Sequence, residues 1–115
     1  MPTTPLLDLT RAQEFALEAD QLRELVLTFE ESLAQEIATI QAGIHNADAV
    51  KVEHALHALK GFMPLFSVDS LAQAMTDLYQ TSRQQPLSVT APAFTALVPS
   101  LEQLLVEVRT CLSAL

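Results

Sequence analysis

A histidine, a lysine and a glycine follow one another at helical spacing in the middle of the chain. His57 is followed by Lys60 three residues later and by Gly61 four residues later. On a helix, residues three and four apart are neighbours on one face. An ammonium group at this position can reach an anion attached to the imidazole, and a glycine leaves the surface beside it without a side chain. The spacing is therefore compatible with a histidine that carries an anionic group, whereas periodicity alone favours a surface histidine with no role.

The helix that holds these residues should turn His57 away from the core. At about 100° per residue, the apolar residues collect on the side of the helix opposite His57. They are Val52, Ala55, Leu56, Leu59, Phe62, Met63 and Phe66. The residues on the side of His57 are Val50, Glu53, His54, Lys60, Gly61 and Pro64. Glycine inside a helix costs about 1 kcal/mol relative to alanine, so Gly61 on this outward face suggests the close approach of a partner.

The rest of the chain predicts the elements that position this face. A length of 115 residues, half of them hydrophobic, is typical of one domain with its own core. Only two glycines are present, which disfavours hairpins and nucleotide-binding loops. Long stretches with helical periodicity predict an all-α fold. We expect an antiparallel, up-down-up-down four-helix bundle with a short extra N-terminal helix, as a single domain over residues 1–115.

Capping residues and prolines predict where each helix begins and ends. The predicted helices run from Thr10 to Leu17, from Asp20 to about Gly43, from Asn46 to about Phe66, from Ser67 or Asp69 to Pro86 at the latest, and from about Thr90 to a buried Leu115. The longest predicted loop joins the last two helices over Gln84 to Ala91. Pro99 is expected to kink the last helix or to mark its start.

Charge and hydropathy exclude several classes of function. The net charge of −8 repels phosphate polyanions, so a nucleic-acid partner is not expected. The first residues lack a cationic start, and no run of 18 consecutive apolar residues occurs. We therefore expect a cytoplasmic protein without membrane insertion. The single cysteine, Cys111, cannot form an internal disulfide and is expected to be a packed side chain.

The motif H-x-L-K-G, formed by His57, Leu59, Lys60 and Gly61, resembles that of histidine-containing phosphotransfer (HPt) domains of multistep two-component phosphorelays. The order of the predicted helices is also similar to that family over approximately residues 7–112. The resemblance implies that His57 carries the phosphoryl group, that Lys60 helps to neutralise it, and that Gly61 admits the partner. It implies a phosphocarrier without kinase activity of its own.

The resemblance also implies the partners of the protein. These are response-regulator receiver domains and a hybrid sensor histidine kinase, with the phosphoryl group received from one receiver aspartate and passed to another. The sequence contains no evident Mg²⁺-binding carboxylate cluster and no nucleotide-binding loop. No cofactor of its own is therefore expected, and Mg²⁺ is expected to come from the partner receiver domain.

The residues after the motif depart from the family pattern. Phe62, Met63 and Pro64 stand where small polar residues are common, and Ser67 stands where many members have a second glycine. Pro64 cannot donate to the carbonyl of Lys60 and is expected to bend the helix. Tyr79 and Gln80 lie in the region from which the family's further polar contact to the imidazole comes, and the contact is not assigned to either residue.

A partner must also find apolar surface around the histidine, because the cores of protein interfaces are depleted in charge. The expected docking residues are Val50, Glu53, His54 and Pro64, together with Leu27 on the outer side of the second helix. One alternative is a noncatalytic, degenerate HPt-like interaction module. Another is a metal site at Glu53, His54 and His57. It is less favoured, because i and i+3 supply only two imidazoles and no third ligand has conventional spacing.

Overall fold

The computed structural model of the protein describes residues 5–115. Within this range the chain forms five helices and no strand. They are α1 (Thr10–Phe15), α2 (Ala19–His45), α3 (Ala49–Phe66), α4 (Asp69–Gln84) and α5 (Leu87–Ala114). α2 and α4 each pack against both α3 and α5, as in an up-down-up-down bundle. The predicted four-helix bundle with a short N-terminal helix is confirmed. The first four residues of the predicted domain lie outside the described residues.

The apolar stripes of the long helices meet in one core. The stripe predicted on α2 is buried at Val26, Phe29, Leu33, Ile37 and Ile40. Phe29 also joins α2 to α3 through aromatic contacts. Its ring stacks on that of Phe66, with centroids 4.1 Å apart, and meets the ring of Phe62 edge-on at 5.4 Å. These contacts fix α3 against α2, so that only the opposite face of α3 remains at the surface.

The turn between α2 and α3 is set by a residue in the left-handed region. Ala47 has φ 54°, and the N–H of Asp48 donates to the carbonyl of Gly43 (2.8 Å), as in a Schellman motif. Asp48, rather than the predicted Asn46, caps α3, because its side chain accepts the N–H of Lys51 (3.1 Å). The predicted start of α3 was therefore two to three residues early.

α5 begins earlier than the sequence predicted. It starts at Leu87, so the long loop predicted between α4 and α5 is wrong, and Thr90 is buried inside the helix. α5 also continues as a helix through Pro99, which therefore does not mark its start. Leu115, expected in the core, is exposed, whereas Phe94 is almost completely buried.

The segment before α1 is held against the bundle by a carboxylate. Oε1 of Glu107 on α5 accepts the backbone N–H groups of Leu6 (2.8 Å) and Leu7 (3.0 Å). Desolvation by burial acts to raise the pKa of Glu107, but the hydrogen bonds from Leu7, Gln103 and Leu6 together outweigh it and lower that pKa. Leu7 also forms an isolated antiparallel bridge with Ser67. The N-terminal segment is thus tied to both α5 and the α3–α4 turn.

α5 is, among residues 5–115, the one helix whose length and composition would allow it to cross a membrane. A helix that packs in the core of a soluble bundle can have the same length and composition. In the structure, α5 buries Phe94, Leu101, Leu104 and Val108 among the other helices. α5 is therefore one of the four packed helices of the bundle, and nothing shows membrane insertion.

The two glycines should respond oppositely to replacement by alanine. A Cβ at Gly43 would lie 2.7 Å from Cγ2 of Val52, which is fully buried. Gly43→Ala is therefore expected to lower the free energy of unfolding by about 1–3 kcal/mol. A Cβ at Gly61 meets nothing within 4 Å, so Gly61→Ala should raise stability by up to about 1 kcal/mol through helix propensity.

Urea denaturation of the two variants measures both changes. Gly61→Ala is the matched control for the general effect of alanine inside a helix. Equal shifts of the two midpoints in the same direction would contradict the close contact between α2 and α3.

Candidate functional site

His57 lies in the middle of α3 and is exposed, as the helical wheel predicts. The opposite face of α3 is buried at Val52, Ala55, Leu56, Leu59, Met63 and Phe66. Phe62, predicted in the core, is half-buried and packs against it. Because α3 must bury this apolar face between its neighbours, the imidazole is left on the surface of the bundle.

The imidazole is held in place from α4. Its Nδ1 lies 3.2 Å from the hydroxyl oxygen of Tyr79, and the two rings meet edge-on with centroids 5.2 Å apart. The ring of Tyr79 is itself buried, which fixes the hydroxyl. Of the two residues that the sequence suggested for this contact, Tyr79 makes it, whereas Gln80 is exposed. With Nδ1 engaged, Nε2 is the ring nitrogen directed away from this contact.

Two cations lie against the ring of Tyr79. Nζ of Lys60 is 5.1 Å from the ring centroid, and Cζ of Arg83 is 5.9 Å from it. Both distances allow a cation–π interaction. Lys60 was predicted at this site from the sequence, whereas Arg83 was not. The missed signal is the spacing of Arg83 four residues after Tyr79, which places both on one face of α4.

Arg83 also has an acidic neighbour on α3. Its Nε lies 3.6 Å from Oε1 of Glu53, beyond hydrogen-bond distance. Glu53, His54, His57, Tyr79 and Arg83 line one open groove. Two of the predicted docking residues, Glu53 and His54, are therefore brought together with His57 at this groove.

The surface on the other side of His57 is bare. Gly61 is exposed, with open space where a side chain would stand. Pro64 is exposed one turn further on, and α3 remains helical through it. The carbonyl of Pro64 accepts a hydrogen bond from Nη1 of Arg11 on α1 (2.9 Å). Ser67 is buried, and its hydroxyl donates to the carbonyl of Met63 (2.8 Å). These two bonds satisfy carbonyls at the end of α3.

The remaining predicted docking residues lie further from the groove. Val50 is exposed and lines a second groove, between α2 and α3, together with His54 and Glu36. Burial raises the pKa of Glu36. Leu27 is 36% exposed and lines neither groove. Gly43 of α2 lies beside Val52 of α3. Because the two helices are antiparallel, His57, five residues after Val52, is level with about residue 38 of α2. Leu27 is eleven residues before that position, which corresponds to about 16 Å along the bundle axis.

Metal-ligating side chains are dispersed in the part of the chain that the structure describes. No group of three or more His, Cys, Asp or Glu residues there is placed to hold a metal ion. Glu53 instead lies beside Arg83, and His57 is engaged by Tyr79. The polar side chains of the groove are thus arranged around the imidazole and two cations, an arrangement suited to an anion.

Comparisons with known proteins identify the family and support the fold. The family model of the Hpt domain matches residues 24–115. The fold is similar to the crystal structure of the HPt domain from an Hpt sensor hybrid histidine kinase from Shewanella, with a TM-score of 0.78 and 21% sequence identity over 93% of this chain and 90% of that chain. A search of curated proteins finds no significant match. Since the family model covers most of the chain, the protein belongs to the Hpt domain family.

Proposed function

We propose that this protein is a phosphorelay intermediate. His57 accepts a phosphoryl group from the aspartate of one receiver domain and transfers it to the aspartate of another response-regulator receiver. The observation that carries the proposal is the exposed imidazole whose Nδ1 is engaged by Tyr79 (3.2 Å), beside a lysine and a bare glycine. A hybrid sensor histidine kinase is the expected source of the phosphoryl group, and the relay operates in the cytoplasm.

Transfer to His57 is an in-line displacement at phosphorus. The lone pair of Nε2 forms the new N–P bond, and the electron pair of the breaking P–O bond returns to the aspartate carboxylate of the receiver. Transfer to the next receiver reverses these steps. Such a reaction requires alignment and neutralisation of charge more than covalent machinery in the protein. A rigid helix that presents one nitrogen is sufficient for the carrier.

Lys60 and Gly61 have separate roles in this step. Lys60 lies one turn after His57 on α3, so its ammonium group can offset the charge of a phosphoryl group on Nε2. Gly61 keeps the surface open, which lets the receiver bring its aspartate close to the imidazole. The receiver supplies Mg²⁺ and activates the acyl phosphate, and this protein contributes the nucleophile.

Tyr79 controls which ring nitrogen reacts. Nε2 can attack only if its lone pair is free, so the proton of the neutral ring must reside on Nδ1 and be donated to the hydroxyl oxygen of Tyr79. After transfer, Nδ1 can release this proton to solvent, and the hydroxyl then donates to Nδ1 instead. A phenol both accepts and donates hydrogen bonds, so Tyr79 suits the imidazole before and after phosphorylation.

Phosphorylation of His57 by a phosphorylated receiver tests the proposed function. The protein is expected to acquire acid-labile, alkali-stable phosphate, measured with a radiolabelled receiver. His57→Gln should abolish the label, because Gln has no nucleophilic ring nitrogen. His45→Gln is the matched control, since it removes another exposed histidine, at the end of α2 and outside the groove, and it should leave the label unchanged.

The opposite result would identify the alternative function. A protein that binds receivers but acquires no label from any of them would be a noncatalytic interaction module. Label that survives in His57→Gln would place the phosphoryl group elsewhere and would contradict the assignment.

Tyr79→Phe should impair transfer without unfolding the bundle. The substitution keeps the buried ring but removes the hydroxyl, and loss of one hydrogen bond of about 1 kcal/mol corresponds to a transfer rate about fivefold lower. In ¹⁵N NMR spectra, the neutral imidazole of His57 should shift toward the Nε2–H tautomer. An unchanged tautomer balance would show that Tyr79 has a structural role only.

The proposed docking surface extends from His57 along α2 and α3. A standard protein interface buries about 800 Å² on each partner, which corresponds to a disc with a radius of about 16 Å. Val50 and Pro64 lie two turns to either side of His57, about 10 Å away along α3. They fall well inside such a disc centred on the imidazole. Leu27 is about 16 Å away along the bundle axis alone and lies on a neighbouring helix, so it falls at or beyond the edge of this disc and its contribution is expected to be modest.

Leu27→Lys should weaken receiver binding about threefold to tenfold, because it places a charge at the edge of an apolar contact. Val106→Lys is the matched control. Val106 on α5 is 61% exposed, and α5 packs against α2 and α4, so it lies across the bundle from α3. Titration of each variant with a receiver measures the dissociation constant. Equal affinities of the two variants would remove Leu27 from the docking surface.

A further inference from the structure

The groove beside His57 contains a cation that is loosely paired. Nε of Arg83 is 3.6 Å from Oε1 of Glu53, and the two side chains are 57% and 33% exposed. An exposed pair at this distance contributes little to stability. The guanidinium group is therefore free to exchange Glu53 for a stronger anion at little cost.

Arg83 and Glu53 flank the histidine from two helices. Glu53 lies four residues before His57 on α3, one turn from it on the same face. Arg83 lies four residues after Tyr79 on α4, with Cζ 5.9 Å from the Tyr79 ring centroid. The His57 ring centroid is 5.2 Å from the same point. Because Arg83 and His57 line the same groove, a change of side-chain rotamer can bring the guanidinium group toward a group attached to the imidazole.

We propose that Arg83 is a second phosphate-binding residue and that Glu53 holds it in reserve until His57 is phosphorylated. This inference rests on the proposed phosphorylation of His57. A phosphoryl group carries more negative charge than a carboxylate, and its oxygens match the planar fork of a guanidinium group in a bidentate hydrogen bond. On phosphorylation, Arg83 leaves Glu53 and binds the phosphoryl oxygens.

Glu53 then opposes the phosphorylated state in two ways. It competes for Arg83, and its carboxylate repels the phosphoryl group one turn away on α3. The pair therefore adjusts how the phosphoryl group is shared between His57 and a receiver aspartate at equilibrium. This role differs from docking, because an equilibrium ratio between dissociated proteins does not depend on how tightly they bind.

The partition of phosphoryl groups between this protein and a receiver tests this role. Arg83→Ala should lower the ratio of phosphorylated to unphosphorylated protein about threefold to tenfold. Glu53→Gln should raise it about twofold to threefold, and the increase should shrink when Arg83 is already alanine. Arg109→Ala is the matched control. Arg109 is also an exposed arginine in an ion pair, with Glu30 at 2.9 Å, but it does not line the groove, so the ratio should not change.

The side-chain Nε–H resonance of Arg83 provides a direct readout. It should shift when His57 becomes phosphorylated, whereas the corresponding resonance of Arg109 should not. An Arg83 resonance that stays unchanged in the phosphorylated protein, or an Arg83→Ala ratio equal to that of Arg109→Ala, would overturn the inference while leaving the relay function intact. If no receiver phosphorylates the wild-type protein, both the relay and the role of Arg83 are wrong.

Discussion

The hydrogen bond between Nδ1 of His57 and the hydroxyl of Tyr79 (3.2 Å) is the interaction on which the site depends. An imidazole on an exposed helix face would otherwise sample several rotamers and both neutral tautomers. The bond joins α3 to α4, so it forms only if these helices pack in one register. The buried ring of Tyr79 fixes that register, and the packed helices thereby hold Nε2 of His57 outward.

The last turn of α3, the helix that carries His57, contains a proline and still remains helical. Pro64 removes the N–H that would bond to the carbonyl of Lys60, yet α3 continues to Phe66. The stacked rings of Phe29 and Phe66 (4.1 Å) hold this last turn against α2. Arg11 on α1 binds the carbonyl of Pro64 from the outside. The short N-terminal helix thus stabilises the end of α3, and the departure from the family pattern leaves the fold unchanged.

Periodicity and spacing were sufficient to predict the orientation of His57. The apolar residues of α3 occupy one side of the helix, so His57 had to face outward, and Lys60 and Gly61 followed from their three- and four-residue steps. The choice between Tyr79 and Gln80 could not be made in the same way. These neighbours point about 100° apart on α4, and the register of α4 against α3 decides which of them meets the imidazole. Arg83 lies one turn after Tyr79 on the same face of α4, so its place at the site could be predicted only once Tyr79 was chosen.

The positions of helix ends that lack a side-chain cap could also not be predicted from the sequence. α5 begins after Pro86 without a side-chain cap, whereas Thr90, a good capping residue by type, is buried inside the helix. The α2–α3 turn places Ala47 at φ 54°, where glycine or asparagine would be expected. In both cases the packing of long helices overrides the local preference of the residue.

The position of the phosphoryl group is best established by NMR spectroscopy of ¹⁵N-labelled protein after phosphorylation by a receiver. The chain contains three histidines, His45, His54 and His57, and therefore six ring nitrogens. Coupling of phosphorus to Nε2 of His57, with no coupling at the other five nitrogens, is the predicted result. Coupling to Nδ1 of His57 or to either of the other histidines would contradict the outward presentation of Nε2 as the basis of the site.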